Sequence, residues 1–372
     1  MKFKVSSQKL KKISSLAQRI TGGSSTLPIL NDFLLEVKES SLFLSATNLE
    51  IGLTFVLPVE LKEEGKVALP GKVFSDFVGS FREDKEIEFE KEGNHLLARV
   101  DNFEAKILTE DPEEFPSLPQ VSGKEIKVFP ANFISSLPKV SKIVSPTESR
   151  IEISGVLLKF EKNKLYLVGT DSIRLAEKKV ELEDEVEPQE VILPQKTAKE
   201  VEKIFSLNFD GEFKIHLSPN QIGFSFEPSD PLEAKIFFVS KVIEGSFPQY
   251  KEIIPKTFQT KAILEKEEFQ RKIKTLSLFA GKIEDIQFKF SPKDEKITLI
   301  SRSEIGEAKD EIKGKIEGDE NEITFNWKYL LEGLSLIDSS EVFFGVNTKE
   351  SPSFLQGLGE EDYLYILMPK TV

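Results

Sequence analysis

The sequence predicts an α+β fold built from three copies of one unit. Each third opens with a short alternating strand followed by an amphipathic helix, and these openings start at Lys2, Ile126 and Lys261. A second helix follows a strand in each third, with equivalent positions at Leu69, Leu193 and Phe325. Both series give a repeat of about 124 to 135 residues, so the 372-residue chain fits three domains better than two.

The six predicted helices fall into three pairs. The opening helices lie in KFKVSSQKLKKISSLAQRI, IKVFPANFISSLPKVSKIV and KAILEKEEFQRKIKTLSLF. The second helices lie in VALPGKVFSDFVGSF, VILPQKTAKEVEKIF and ITFNWKYLLEGLSLI. Such short helices are too few to cover both faces of a sheet, which favours an α+β fold over a doubly wound one.

Between the helices, apolar residues alternate with polar ones, as in SLFLSATNLEIGLTFVLPV and KLYLVGTDSIRLAEKKV. This period of two predicts half-buried antiparallel strands. Turn residues such as Glu92-Gly93-Asn94 and Ser218-Pro219-Asn220 separate them. Linkers rich in Pro, Gly and polar residues surround Gly123 and Pro255, which predicts domains over residues 1–120, 126–251 and 252–372.

The composition excludes several functional classes. Cysteine is absent and histidine occurs twice, as His95 and His216 in strand contexts. Disulfides, thiol nucleophiles and Cys/His zinc sites are therefore excluded, and a Ser-His-Asp triad could use only one of these two histidines. The N-terminal segment lacks the apolar stretch of a signal peptide and no 18-residue apolar run follows, so we expect neither export nor a membrane partner, but a cytoplasmic protein.

No catalytic motif is convincing. A phosphate-binding loop fails at Gly71-Lys72-Val73, because the spacing from Gly65 is one residue too long and Val replaces the hydroxyl residue. Gly357-Leu358-Gly359 lacks the third glycine of a dinucleotide site and is interpreted as a turn. Acidic runs around Glu83, Glu181–Glu187 and Glu360 are typical of solvated loops. We therefore expect a protein without cofactor, metal or catalytic residues.

Charge is unevenly distributed along the chain. The net charge of −13 argues against a nucleic-acid partner. Yet the six helical windows together carry about +14, which leaves about −27 on the strands and loops. Two interpretations remain open: ordinary solvated helix faces, or a shared basic surface that contacts the phosphates of a duplex without reading its sequence.

Six short segments occur in a distinctive order across the three repeats. They are residues 26–30 (TLPIL), 154–157 (SGVL), 170–176 (TDSIRLA), 244–250 (EGSFPQY), 325–330 (FNWKYL) and 368–369 (MP). With these segments the chain resembles, from end to end, the bacterial DNA polymerase III beta subunits, the replicative sliding clamps. The resemblance implies three clamp domains and a head-to-tail homodimer that closes into a ring, with helices lining the hole and antiparallel sheets outside.

The resemblance further implies a non-catalytic processivity factor that encircles double-stranded DNA. Its partners would be a second copy of itself, the clamp loader, the DNA polymerase III catalytic subunit, and other polymerases or repair proteins carrying clamp-binding peptides. The peptide pocket would lie between the second and third domains. Carried over position by position, it comprises Arg150, Ile153, Thr170, Ser172, Ile173, Arg174, Leu175, Pro248, Ile253, Asn326, Tyr329, Pro352, Met368, Pro369 and Lys370.

The residue types at these positions are suited to binding a peptide. Leu175, Ile253, Pro248 and Met368 offer an apolar cleft for aliphatic and aromatic anchors, while Arg174 supplies hydrogen-bond donors. Core packing is the alternative for Ile153 and Leu175. Two positions depart from the family pattern: Ile173 stands where His is usual, and Lys370-Thr371-Val372 replaces an apolar residue and Arg.

The resemblance also implies a DNA-facing set and a contact between protomers. Lys72 and Lys196 match basic positions of the family's inner surface, whereas Ser24 replaces a common Arg. Helical placement adds Lys12, Lys139, Lys142, Lys203 and Lys274 to that set. The protomer contact would place Val73 and Ile107 against Leu278 of the partner. Two rival functions remain: a DNA-modifying enzyme, and a scaffold that binds only proteins.

Overall fold

The computed structural model describes residues 1–21, 27–119, 123–145, 149–206 and 210–370. Within them lie six α-helices, two in each predicted repeat. They are α1 Ser7–Ala17, α2 Gly71–Gly79, α3 Pro130–Ser141, α4 Gln195–Phe205, α5 Lys266–Ser277 and α6 Trp327–Ser335. The prediction of three helix pairs is confirmed.

Twenty-four strands account for most of the remaining described residues. The first twelve are β1 Lys2–Ser6, β2 Asp32–Lys38, β3 Ser41–Thr47, β4 Ile51–Pro58, β5 Glu60–Glu63, β6 Gly65–Pro70, β7 Glu86–Glu92, β8 His95–Val100, β9 Phe103–Leu108, β10 Lys124–Lys127, β11 Gly155–Thr170 and β12 Arg174–Pro194. The others are β13 Gly211–Ser218, β14 Gln221–Pro228, β15 Lys235–Lys241, β16 Thr260–Glu265, β17 Asp285–Ser291, β18 Lys296–Ser303, β19 Gly306–Lys313, β20 Lys315–Gly318, β21 Asn321–Asn326, β22 Glu341–Val346, β23 Ser353–Gly357 and β24 Tyr363–Leu367.

The chain divides into two compact units. The first comprises Met1–Ser135, Leu182–Val186 and Lys196–Val242, and the second comprises Ser136–Glu181, Glu187–Gln195 and Ile243–Val372. Each unit therefore contains a terminal repeat together with part of the middle repeat.

The first unit has a five-stranded sheet, in the order β5-β1-β7-β8-β9, and an eight-stranded sheet, β10-β13-β14-β15-β4-β3-β2-β6. The eight-stranded sheet joins the first repeat to the middle one, because β15 pairs antiparallel with β4 and places Phe238 opposite Leu53. A phenylalanine cluster packs under this sheet: the Phe133 and Phe213 rings lie 5.6 Å apart, and Phe205 meets Phe213 edge to face at 5.1 Å.

The second unit has a seven-stranded sheet, β11-β12-β24-β23-β22-β16-β20, and a four-stranded sheet, β19-β18-β17-β21. Here β12 of the middle repeat pairs antiparallel with β24, with Leu175 opposite Ile366. The core beneath is again aromatic, since the Phe288 and Phe325 rings lie 5.4 Å apart and Phe325 and Phe344 5.5 Å apart. The predicted α+β architecture with antiparallel sheets is confirmed.

Local sequence explains where several helices begin. Ser6 accepts a hydrogen bond from the Lys9 N–H at the start of α1, and Asn326 accepts from the Lys328 and Tyr329 N–H groups at the start of α6. These side chains satisfy backbone donors that have no partner within the helix. Pro130 begins α3, where its missing N–H costs nothing. The amphipathic pattern then buries one face of each helix against a sheet.

Candidate functional site

All fifteen predicted pocket residues lie in the second unit, and several of them form or contact the turn that precedes β12. In this turn the Thr170 hydroxyl donates to the Arg174 carbonyl at 2.6 Å and accepts the Ser172 N–H at 3.1 Å. Asp171 Oδ1 accepts the N–H groups of Ile173 and Arg174 at 2.9 and 2.8 Å. Ser172 adopts a left-handed conformation with φ of 76°. The turn is thus closed by its own side chains, and Ser172 and Ile173 remain exposed.

Arg174 is buried rather than open to solvent. Its Nε donates to Asp171 Oδ2 at 2.9 Å, its Nη1 pairs with Glu332, and its guanidinium carbon lies 4.1 Å from the centre of the Tyr329 ring. Burial disfavours the charge, but Tyr365, Glu332 and Asp171 outweigh that effect and hold the pKa of Arg174 above its usual value. Two of the guanidinium nitrogens that the sequence analysis counted as donors, Nε and Nη1, are thus already engaged by carboxylates of the same chain.

The floor of the candidate pocket is a hydrophobic cluster. Ile153 and Leu175 are almost fully buried in it, together with Phe247, Tyr250 and Ile366. The Tyr250 hydroxyl also donates to the buried Glu177 carboxylate at 2.7 Å. Burial raises the pKa of this hydroxyl, and the negative charge of Glu177 raises it further. Ile153 and Leu175 consequently serve core packing, the alternative weighed above, and support the surface from below.

The exposed apolar residues around this floor are Ile173 and Ile253, with Pro248, Pro352, Met368 and Pro369 partly exposed. The Met368 N–H donates to the Ile173 carbonyl at 2.9 Å, which ties the end of the chain to the turn. Arg150 reaches the same turn, since its Nη1 donates to Ser172 Oγ at 3.0 Å. Ile151, next to Arg150 in the sequence, is also exposed and was not among the predicted pocket residues.

A second group lies at the start of α6. Asn326 caps the helix and also donates to Glu284 Oε2 at 3.5 Å. The Lys370 N–H donates to the Thr324 carbonyl at 2.8 Å, and its ammonium group donates to the Ile283 carbonyl. The residues Thr371 and Val372, named above as a departure from the family pattern, lie outside the described residues, as do Ser24 and Thr26.

The predicted DNA-facing lysines divide into two classes. Lys72, Lys142, Lys196, Lys203 and Lys274 are exposed, and none of them forms an ion pair within the described part of the chain. On α4 they belong to a stripe, since Lys196, Lys199 and Lys203 are three and four residues apart and all are exposed. Lys199 was not among the predicted DNA-facing residues, although its helical spacing from Lys196 and Lys203 can be recognised in the sequence.

The other two lysines have acidic partners. Lys139 is largely buried, pairs with Asp338, and lies 5.5 Å from the centre of the Tyr363 ring. This pairing argues against Lys139 as a DNA contact, because its ammonium group already has a carboxylate partner and packs against the Tyr363 ring. Lys12 is more exposed and lies 3.6 Å from Glu233, a weaker pair that leaves it accessible.

Four basic residues of the five-stranded sheet form a ladder of ion pairs with glutamates: Lys2, Lys4, Lys62 and Arg99. Lys2 lies 2.8 Å from Glu90 and 3.2 Å from Glu88, and Arg99 lies 2.6 Å from Glu90. Hydrogen bonds from Lys2 and Arg99 hold the pKa of Glu90 below its ordinary value. This sheet surface therefore differs from the α4 stripe, whose lysines form no ion pair with a carboxylate in the described part of the chain.

The predicted protomer contact has two exposed members and one buried member. Val73 on α2 and Leu278 after α5 are exposed, whereas Ile107 is only 6% exposed. Alternation along β9 turns Ile107 toward the core, which leaves little of its side chain to meet a second copy. The same alternation exposes Leu108, and Phe103 is exposed at the start of the strand.

Models of the N-terminal, central and C-terminal domains of the DNA polymerase III beta subunit match residues 1–119, 128–249 and 251–371. The chain belongs to this family. The beta sliding clamps of Staphylococcus aureus and Staphylococcus epidermidis are each 30% identical to it over 359 residues, or 92% of both chains.

Solved structures of the family share the fold over the whole chain. The beta subunit of Thermotoga maritima is 26% identical, with a TM-score of 0.90 over 100% of this chain and 99% of that one. A sliding clamp of Pseudomonas aeruginosa, solved bound to griselimycin, is 23% identical, with a TM-score of 0.93 over 100% of both chains.

As a member of the beta-subunit family, this chain is a sliding clamp, the non-catalytic processivity subunit of DNA polymerase III. The rival interpretation as a DNA-modifying enzyme is thereby set aside. In the part of the chain that the structure describes, no helix has the length and apolar character needed to cross a membrane.

Proposed function

We propose that two copies of this chain close head to tail into a ring that encircles duplex DNA without reading its sequence. One contrast in charge supports this: the lysine stripe of α4 forms no ion pair among the described residues, whereas Lys2, Lys4, Lys62 and Arg99 of the five-stranded sheet are paired with glutamates. Free lysines attract phosphates, and a neutralised or acidic sheet does not. In this ring the domains are residues 1–120, 126–251 and 252–372, and the protein acts in the cytoplasm.

The DNA-facing set of this proposal is Lys12, Lys72, Lys142, Lys196, Lys199, Lys203 and Lys274. Long, flexible lysines that contact only phosphates hold a duplex through many weak interactions and allow it to slide. Processivity then comes from the closed ring and not from tight binding, because a tethered polymerase has a high effective concentration at the primer end.

Ring closure would join two apolar surfaces of similar construction. In the first unit, Val73 and Phe77 of α2 lie beside the edge strand β9, where the Phe77 and Phe103 rings are 6.1 Å apart. In the second unit, Leu278 and Phe279 follow α5 beside the edge strand β19, and Ile305 is exposed just before that strand. Unpaired edge strands readily add a strand from another chain. We infer that β9 of one copy pairs with β19 of the other.

The partner-peptide pocket of the proposal surrounds the 170–174 turn. Its exposed apolar rim is formed by Ile151, Ile173, Pro248, Ile253, Pro352, Met368 and Pro369, and its polar rim by Arg150, Ser172, Asn326 and Lys370. An extended peptide would place aliphatic and aromatic side chains on the apolar rim. The partners are the polymerase catalytic subunit, other polymerases and repair proteins, and the clamp loader.

The decisive experiment separates topological retention from direct binding. The protein is loaded by a clamp loader onto nicked circular DNA, and the circle is then cut at one site. We expect retention on the circles and rapid release from the linear product. Persistent binding to linear DNA would contradict the ring, and no association at all, with an active loader, would favour a scaffold that binds only proteins.

Removal of the lysine stripe is expected to impair loading in a salt-dependent way. Lys72→Ala and Lys196→Ala alone should each weaken loading modestly, because many contacts share the attraction. The triple change of Lys196, Lys199 and Lys203 to Ala should reduce loading most strongly at low salt. Loading of this variant should then fall less steeply than that of the wild type as NaCl rises, since each lost phosphate contact lowers the salt slope by about 0.9. Loading is measured on nicked circles between low and moderate salt.

A matched control is Lys293→Ala, which removes an exposed lysine from a turn between strands β17 and β18. Its loading should follow the wild type at every salt concentration. Complete loss of loading in either single variant of Lys72 or Lys196 would contradict a distributed surface.

A further inference from the structure

The turn that precedes β12 has a counterpart in the first unit, before β4. There the Thr47 hydroxyl donates to the Ile51 carbonyl at 2.8 Å and accepts the Leu49 N–H at 3.1 Å. Asn48 Oδ1 accepts the N–H groups of Glu50 and Ile51 at 3.0 and 2.8 Å, as Asp171 does for Ile173 and Arg174. The two turns are therefore the same structure.

Further details match between the two copies. Leu49 has φ of 71° where Ser172 has 76°. The Lys241 N–H donates to the Glu50 carbonyl at 3.0 Å, as the Met368 N–H does to the Ile173 carbonyl at 2.9 Å. By this alignment Ile51 corresponds to Arg174 and Asn48 to Asp171.

This correspondence isolates what is special about the second copy. In the first-unit turn this position is a buried isoleucine, Ile51, which shows that the turn forms with an apolar residue there. In the second-unit turn the same position is Arg174, whose guanidinium is buried. A buried charge is costly unless it is paired, and an apolar residue of similar size often stabilises as well or better. Arg174 is thus not required by the turn itself, and its charge points to a binding role.

The two carboxylates that neutralise Arg174 differ in accessibility. The Asp171 side chain is 8% exposed and also closes the turn, whereas the Glu332 side chain is 55% exposed. Because the Glu332 carboxylate is open to solvent, it is hydrated by water when it leaves Arg174, whereas Asp171 remains paired with the guanidinium inside the fold. Asp171 is the permanent partner of Arg174, and Glu332 is exchangeable.

The first unit again offers a comparison. Glu200 is the sixth residue of α4, as Glu332 is of α6, but Glu200 pairs with Arg19 of α1 through bonds of 2.7 and 3.0 Å. A glutamate at this helical position therefore does not by itself contact the turn. Only in the second unit does it meet a buried arginine beside the candidate pocket.

We propose that Glu332 is an internal counter-ion of the peptide pocket, which an aspartate or glutamate side chain of a partner peptide displaces from Arg174. This inference rests on the proposed peptide pocket and adds to it a preference for acidic peptides. While Glu332 is in place, the two carboxylates around Arg174 repel a third. When Glu332 moves into solvent, Arg174 offers donors that an acidic side chain can use and a neutral amide uses less well.

The test compares acidic and amide peptides on the full-length protein. Fluorescein-labelled hexapeptides carry Leu and Phe anchors and one Asp, scanned through the inner positions, and each has an Asn counterpart. Binding is followed by fluorescence anisotropy. Wild-type protein should prefer the best Asp peptide, and Glu332→Gln should tighten its binding about three- to five-fold while leaving the Asn peptide unchanged, since the competing carboxylate is gone.

Two variants guard against an indirect effect. Glu200→Gln, the equivalent change in the first unit, should leave both affinities unchanged. The double variant Asp171→Asn/Arg174→Ile introduces the first-unit residues at the two positions equivalent to Asn48 and Ile51. It should therefore fold, with a cooperative thermal transition, and bind the Asp and Asn peptides equally.

The outcomes separate this inference from the pocket proposal. If wild-type protein binds neither peptide, the pocket proposal fails and the inference with it. If both peptides bind but Glu332→Gln weakens both, or changes both equally, the pocket stands and the counter-ion role is overturned, because Glu332 would then only support the structure.

Discussion

Deletion of residues 368–372 is expected to abolish stimulation of the polymerase while leaving the assembled ring intact. Met368 holds the turn of the proposed pocket through its N–H bond to Ile173, and Lys370 attaches the segment to Thr324 and Ile283. The deletion removes three rim residues and the hydrogen bond that ties the end of the chain to this turn. None of the deleted residues lies on the surfaces proposed to close the ring.

Two measurements on the same preparation decide the matter. Primer extension on a long single-stranded template should fall to the level seen without clamp, and sedimentation velocity should still give the dimer. Deletion of residues 371–372 alone is the matched control and should retain stimulation, because the contacts that hold the turn belong to Met368 and Lys370. Undiminished stimulation by the longer deletion would refute the pocket assignment.

Much of the fold was predictable because it is repeated and locally encoded. The helix pairs could be predicted from amphipathic segments that recur at nearly constant spacing, and the strands from apolar residues that alternate. Asn326 illustrates the local part: a capping residue before an apolar helix marks the start of α6 in any context. The joining of repeats through β15 with β4 and β12 with β24 was not predictable, since it depends on pairing between residues distant in the sequence.

The candidate site was predictable only in outline. Its positions followed from the resemblance, but the state of each side chain follows from tertiary contacts. Nothing in the sequence around Lys139 reveals that it meets Asp338, about two hundred residues away, or that Arg174 is buried against Glu332 and Tyr329. Ile107 shows a finer limit: a shift of one residue along an alternating strand exchanges its exposed and buried faces.

Leu278→Asp is expected to convert the dimer to monomers and to prevent retention on circular DNA. The Leu278 side chain is 70% exposed and belongs to the surface proposed to meet Val73 and β9 of a second copy. Loss of a buried leucine is worth about 2 kcal/mol, before any cost of burying the new carboxylate. A two-membered ring contains this contact twice, so the dimer should weaken by roughly a thousandfold or more.

The matched control is Leu232→Asp, which places the same charge on a leucine that is 60% exposed in a loop of the first unit. Sedimentation equilibrium over a range of concentrations should show a weakened dimer only for the Leu278 variant. That variant should retain its thermal unfolding midpoint at concentrations where the wild type is also dissociated, because Leu278 makes little contact within its own chain. A Leu278→Asp protein that remains dimeric at nanomolar concentration would place the protomer contact elsewhere. A protein that became monomeric yet stayed on cut circles would contradict topological retention, since a chain that does not close around DNA can remain there only by direct binding.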